Sequence, residues 1–196
     1  MNIEQYILFR EKKYKILDVT QDFIIHPSVL SAESITKDSL QLSFAAGYHF
    51  VNQALYLDYM TVLNDSNTMI KDGYHNRPVY YTGAILIGSD LINDYDVKEE
   101  TACFSYKNVY ELILKQGFLE ITADHSKSML RIRKNLELGL RDLSKKRDLR
   151  CIEHFLEDIF LGEYSSNHSL KQKLKILRDM KKKYYSNNCF HEIQGF

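Results

Sequence analysis

From Asp124 to Tyr184 the chain carries apolar residues at helical spacing three times over, and helices with one apolar face must bury it against something. The first helix is expected from about Ser126 to Leu143, with Met129, Ile132, Leu136, Leu140 and Leu143 three or four residues apart on one side. Asp124 or Ser126 suits its N-cap. A second helix is expected from about Lys145 to Leu161, striped by Leu149, Ile152, Leu156 and Ile159 and widened by Phe155 and Phe160. Ser144 would cap its start, and Gly162 would follow its end. A third is expected from about Ser169 to Tyr184 through Leu170, Leu174, Leu177 and Met180. The predicted core of this block is Leu136, Leu140, Ile152, Leu156 and Leu177.

The first 122 residues read differently. Residues 1–12 suggest a short leading helix or arm. Tyr14, Ile16 and Leu17, then Phe23, Ile24 and Ile25, are β-prone runs that suit a hairpin, ended by His26-Pro27. Residues 37–64 fit both periods, and the tyrosines with Gly47 favour a strand followed by a helix. Val79 to Ile87 reads as a buried strand. Ser105 is expected to cap a short helix through Val109, Leu112 and Ile113, closed by Gly117, and Phe118 to Ile121 as one more strand. The fold class expected is α+β: a small N-terminal sheet with short helices, then a C-terminal three-helix block. It forms one domain over residues 1–196, with a mixed half to residue 122 and a helical half over 123–186. An all-α fold is the alternative, should residues 37–64 and 78–95 be helical.

Composition bounds the rest. At 196 residues with 44% hydrophobic and 27% charged residues, the chain can bury an unstapled core. Cys103, Cys151 and Cys189 are few and far apart, as in a reducing compartment. The start Met-Asn-Ile-Glu-Gln-Tyr lacks a basic segment followed by an apolar one, and the longest apolar run is too short for a bilayer. A cytoplasmic location without membrane contact is therefore expected. Net charge is zero but divided: residues 123–196 hold 16 Lys and Arg against 10 Asp and Glu, a net of +6, leaving the first 122 at −6.

Candidate chemistries were weighed against plain packing. Gly83 to Ser89 has the glycine spacing of a phosphate loop, yet it lacks the lysine and its centre is apolar, so a core strand fits better. His49, His75, Asp58 and Asp72 are the residues a metal- or histidine-dependent hydrolase would use, but no HxH or HExxH spacing joins them. Cys151 and His154 share one side of a helix, where a packed thiol is the simpler reading. No catalytic residue, metal or cofactor is expected, and the chain reads as a binding protein rather than an enzyme.

Two charged features remain. Asp90, Asp94, Asp96, Glu99 and Glu100 crowd one stretch opposed only by Lys98, forming a candidate docking surface for a basic protein. Arg141, Lys145, Lys146, Arg147 and Arg150 form a basic cluster. It lacks the exposed polar second helix of a base-reading helix-turn-helix, so contact with nucleic acid would rest on phosphates alone. The aromatic-rich first half, Arg131-Ile-Arg-Lys-Asn135 and Phe160-Leu-Gly-Glu-Tyr164 together resemble bacterial immunity proteins of contact-dependent or polymorphic toxin systems. That resemblance, carried mainly by residues 79–164, implies occlusion of a toxin domain's active or substrate-binding face. The alternatives are the hydrolase, and a nucleic-acid-associated regulator using the basic helical face.

Overall fold

A computed structural model of the chain describes residues 5–21, 23–25, 43–63, 69–73, 76–93, 95–97 and 100–162. The predicted third helix, with Leu177, lies outside them. Eleven strands and two helices are described: β1 (Gln5–Phe9), β2 (Lys12–Val19), β3 (Ser43–Val51), β4 (Ala54–Leu63), β5 (Met69–Gly73), β6 (Arg77–Pro78), β7 (Gly83–Leu91), β8 (Asp96–Val97), β9 (Glu100–Thr101), β10 (Tyr106–Lys115), β11 (Phe118–Asp124), α1 (Ser126–Glu137) and α2 (Lys146–Ile159). The chain divides into two compact units, residues 1–87 with 114–120, and residues 88–113 with 121–196.

All of the larger strands enter the first unit. The order β11-β10-β7-β2-β1-β3-β4 closes on itself because β11 also pairs β4, at Phe118↔Ala54. The closing hydrogen bonds run from Leu55 N to Gly117 O (2.8 Å) and from Leu119 N to Gln53 O (2.9 Å). The result is a seven-strand β-barrel, mixed because β1 and β3 are parallel while β1–β2 and β3–β4 are antiparallel. β5 and β6 pair the same far edge of β4 that β11 meets. Period-two burial builds the interior: Ile7 and Phe9 on β1, Phe44, Ala46 and Tyr48 on β3, and Leu55 and Leu57 on β4 are all buried.

This overturns the expected α+β architecture with its three-helix block, and the all-α alternative with it. Of the expected leading helix or arm over residues 1–12, the described part, residues 5–12, forms β1 and the start of β2. The run at Tyr14 pairs back onto β1 rather than onto Phe23 to Ile25. Residues 43–63 form two strands, not a strand and a helix, and Gly47 has a steric reason: a Cβ there would stand 2.6 Å from the Tyr59 ring and 2.8 Å from that of Tyr6. The predicted short helix after Ser105 is β10. Its Val109, Leu112 and Ile113 fit a helical template by spacing, but Ala84–Ser89 and Leu112–Leu114 are buried at successive positions, which marks strands covered on both faces.

Three hairpins explain the misreading. Arg10 and Glu11, Asn52 and Gln53, and Gln116 and Gly117 are two-residue turns with positive φ at both positions, as the tight hairpin turn requires. Only Gly117 and Asn52 belong to the residue types that favour that conformation. At Gly117 (φ 84°) the constraint is absolute, since a Cβ would collide with the Val79 carbonyl oxygen.

In the second unit α1 and α2 keep their predicted starts to within a residue, and α1 stops six residues early, at Glu137. Gly139 (φ 68°) ends it. The buried face of α1 comprises Ser128, Met129, Ile132, Arg133 and Asn135, whereas Leu140 is 45% exposed and Leu136 half-buried. Polar residues hold that face. Arg133 Nη1 donates to Phe104 O (2.7 Å) and Tyr106 O (2.6 Å), fastening α1 to the short 3-10 turn at Cys103–Ser105. Burial lowers the Arg133 pKa from its ordinary value. On α2 Cys151, Ile152, Phe155 and Ile159 are buried and Leu156 is half-buried.

Candidate functional site

The acidic stretch is a short ribbon in the second unit. Asp90 is the last residue but one of β7, exposed and in the left-handed region (φ 58°), where its Oδ2 accepts a hydrogen bond from Asn108 Nδ2 (2.6 Å). Asp96 lies on β8 and Glu100 on β9, two strands paired at Asp96↔Thr101 and Val97↔Glu100. Asp94 and Glu99 lie outside the described residues. The structure thus places Asp90, Asp96 and Glu100 on one antiparallel excursion, and the sequence range of that excursion contains all five acids.

Ser105 anchors the ribbon at its root. This fully buried residue accepts from Ile92 N on its carbonyl (2.9 Å) and from Tyr95 N on its Oγ (3.1 Å). Ala102 N donates to Tyr95 O (2.9 Å), and the Tyr95 ring lies 5.5 Å from that of Phe104. These bonds tie the described part of the ribbon, at Ile92, Tyr95 and Ala102, to its root. Beside it, Leu91 is 54% and Ile92 47% exposed. Large apolar side chains next to a charged border form the composition of a protein interface, apolar anchors within a polar rim.

The same unit holds a buried ionisable pair that the sequence reading missed. Glu111 on β10 is 2% exposed and His125, at the start of α1, fully buried. Glu111 Oε2 stands 2.9 Å from His125 Nε2 and also accepts from Leu161 N (2.9 Å), while Oε1 accepts from Gly162 N (2.6 Å). The Phe160 ring meets the imidazole edge-on at 5.1 Å. Among the described residues His125 Nδ1 has no hydrogen-bond partner. The arrangement clips the end of α2 onto β10. A visible clue was Glu111 itself, one acid inside the apolar run Val109 to Leu114, where burial demands a partner.

The residues weighed for hydrolysis separate. His49 on β3 stacks on Tyr56 (5.8 Å), and Asp58 is the unopposed residue of a β-bulge in β4. Asp72 lies on β5, and His75 lies outside the described residues. Among the described residues no three His, Cys, Asp or Glu side chains converge as metal ligands. Gly83 to Ser89 belongs to β7 and is a strand, not a loop. Cys151 is buried, and the neighbouring His154 Nδ1 contacts Glu157 Oε2 (3.2 Å) at the surface.

The basic cluster surrounds the start of α2. Asp148 Oδ2 accepts from Asp142 N (3.1 Å), its Oδ1 lies 3.7 Å from Arg141 Nη1, and Asp142 accepts from both the amide and hydroxyl of Ser144. Those two bonds from Ser144, hydroxyl first, hold the Asp142 carboxyl below its ordinary range. Ser144 therefore serves Asp142 rather than capping α2, whose N-cap residue is Lys145. Among the described residues no helix is long and apolar enough to cross a membrane. Comparison with family models, curated proteins and solved structures finds no match to this chain.

Proposed function

We propose that this chain is a binding protein that neutralises a basic toxin domain by covering its active or substrate-binding surface, as the resemblance to immunity proteins implies. The observation that supports it is the anchored acidic ribbon with Leu91 and Ile92 half exposed at its root. Opposed charge steers the encounter, apolar anchors slow departure, and a fixed backbone lowers the ordering cost of binding.

The test is to sequence the gene's neighbourhood for a large upstream reading frame and to co-express the C-terminal domain of any such frame with this chain, scored by cell survival and by association kinetics. Reversing Asp94 and Asp96 to lysine should slow association at least several-fold at low salt, with the effect shrinking as the Debye length falls to about 3 Å at 1 M. Leu91→Ala should act on dissociation instead. Survival without this chain, or unchanged kinetics in both variants, would refute the reading.

A further inference from the structure

Two exposed aromatic rings of the first unit stand on backbone held from both sides. Tyr80 is 80% and Phe118 56% exposed. Val79 N donates to Leu55 O (2.9 Å) and Gly117 N to Tyr81 O (2.7 Å), which pins the neighbours of Tyr80. Leu55 N donates to Gly117 O (2.8 Å) and Leu119 N to Gln53 O (2.9 Å), which pins the neighbours of Phe118. The two rings share one region, since a Cβ on Gly117 would lie 3.5 Å from the Tyr80 Cα. The exposed Val51 joins them. It lies opposite Ala54 on β4, and Ala54 lies opposite Phe118 on β11, so these three side chains leave one face of the sheet. That face is the outer one, because Leu55, the next residue of β4, is buried.

We propose that this outer face, centred on Val51, Tyr80 and Phe118, binds a second copy of the same chain. The proposal is independent of the toxin-neutralising reading, which uses residues of the second unit. Exposed apolar side chains with aromatic anchors make the centre of an interface, and pinned backbone lowers the ordering cost of association. The choice of a second copy rests on the border. In a two-fold pair the same patch lies on both sides, so its groups must suit a copy of themselves. The flanking hairpin turns bring three exposed carboxamides, Asn52, Gln53 and Gln116. A carboxamide carries both donors and an acceptor and pairs with its own kind, which a carboxylate or an ammonium does not. The charged residues nearest Phe118 on its hairpin are Lys115, across the two-residue turn, and Glu120, two residues on along β11. Both are exposed and opposite in sign, so a two-fold axis near Phe118 sets Lys115 of each copy against Glu120 of the other. A nucleic-acid backbone would require surplus cations, and a basic protein surplus acids.

The experiment is sedimentation of the full chain over a range of concentrations at about 0.1 M salt. The chain should be a dimer that dissociates on dilution. Phe118→Ser and Tyr80→Ser, each with an unchanged circular dichroism spectrum, should weaken the dimer at least tenfold. Leu138→Ser, at an exposed apolar residue of the second unit, should leave it unchanged. Lys115→Glu should weaken it, and adding Glu120→Lys should restore it, since the charges then match with their signs exchanged. A monomer at every concentration, equal weakening by Leu138→Ser, or no restoration by the double exchange would each overturn the proposal. So would a single-stranded DNA oligomer that binds the monomer and loses affinity in Phe118→Ser, an outcome that would assign the face to bases stacked on the rings.

Discussion

At the scale of single residues, buried polar groups separate by whether they are answered. Glu111 is answered three times, and Glu111→Ala would strand the amides of Leu161 and Gly162 and the imidazole of His125 together. Removing one partner of a buried hydrogen-bonded pair in this way typically costs about 3–5 kcal/mol, so a thermal melt of that variant should show a large fall. Tyr48 is the opposite case. Its side chain on β3 is fully buried, its hydroxyl has no hydrogen-bond partner among the described residues, and burial pushes its pKa well above the ordinary value. Tyr48→Phe should leave stability unchanged or raise it by about 1 kcal/mol, measured by denaturant unfolding, because an unanswered buried hydroxyl costs about 1–3 kcal/mol. Asp142 links this scale to pH. Its folded pKa is depressed below the ordinary 3.8, so its contribution to stability is present above that value and fades as pH falls through the folded one. Ser144→Ala removes the first cause, and NMR titration should show the Asp142 carboxyl moving back towards 3.8.

At the scale of elements, the hairpins decide the architecture and were the least readable part of the sequence. Arg10-Glu11 and Asn52-Gln53 occupy a conformation usually signalled by Asn-Gly or Asp-Gly, so nothing local announced a turn. Replacing Arg10-Glu11 by Asn-Gly should raise stability by about 1 kcal/mol, a rise of roughly 2–4 °C in Tm for a chain of this size. The two described helices were legible because their stripes are long and their period unambiguous. The buried side of α1 was not, since it carries Arg133 and Asn135 among its apolar residues, and the acceptors of Arg133 on a distant segment are invisible to periodicity. β10 was misread for a related reason. A strand buried on both faces shows no alternation, so Val109, Leu112 and Ile113 fitted a helix by accident of spacing. Of the candidate site, the acidic composition was legible. Its anchoring through Ser105 and the exposure of Leu91 and Ile92 required the fold.

At the scale of the whole molecule, neither compact unit is a single stretch of chain. The divisions at residues 87/88, 113/114 and 120/121 fall inside β7, β10 and β11. Charge divided along the sequence is therefore not charge divided between units, because residues 88–113 bring the acidic stretch into the unit that carries the basic helices. The barrel closes at one seam, between β4 and β11. Gly117→Val would drive a side chain into the Val79 carbonyl there. Hydrogen exchange should then show the amides of Leu55 and Leu119 losing protection before those of β1–β2 and β3. Equal loss throughout would mean the seam is not where the barrel opens. The seam also has a consequence in time. Ala54 waits for Phe118, a partner made 64 residues later. At about 5–20 residues per second a ribosome needs roughly 3–13 s to cover that interval. For those seconds the Ala54 end of β4 lacks the partner that closes the barrel, so slower translation between residues 54 and 118 should lower the yield of native protein.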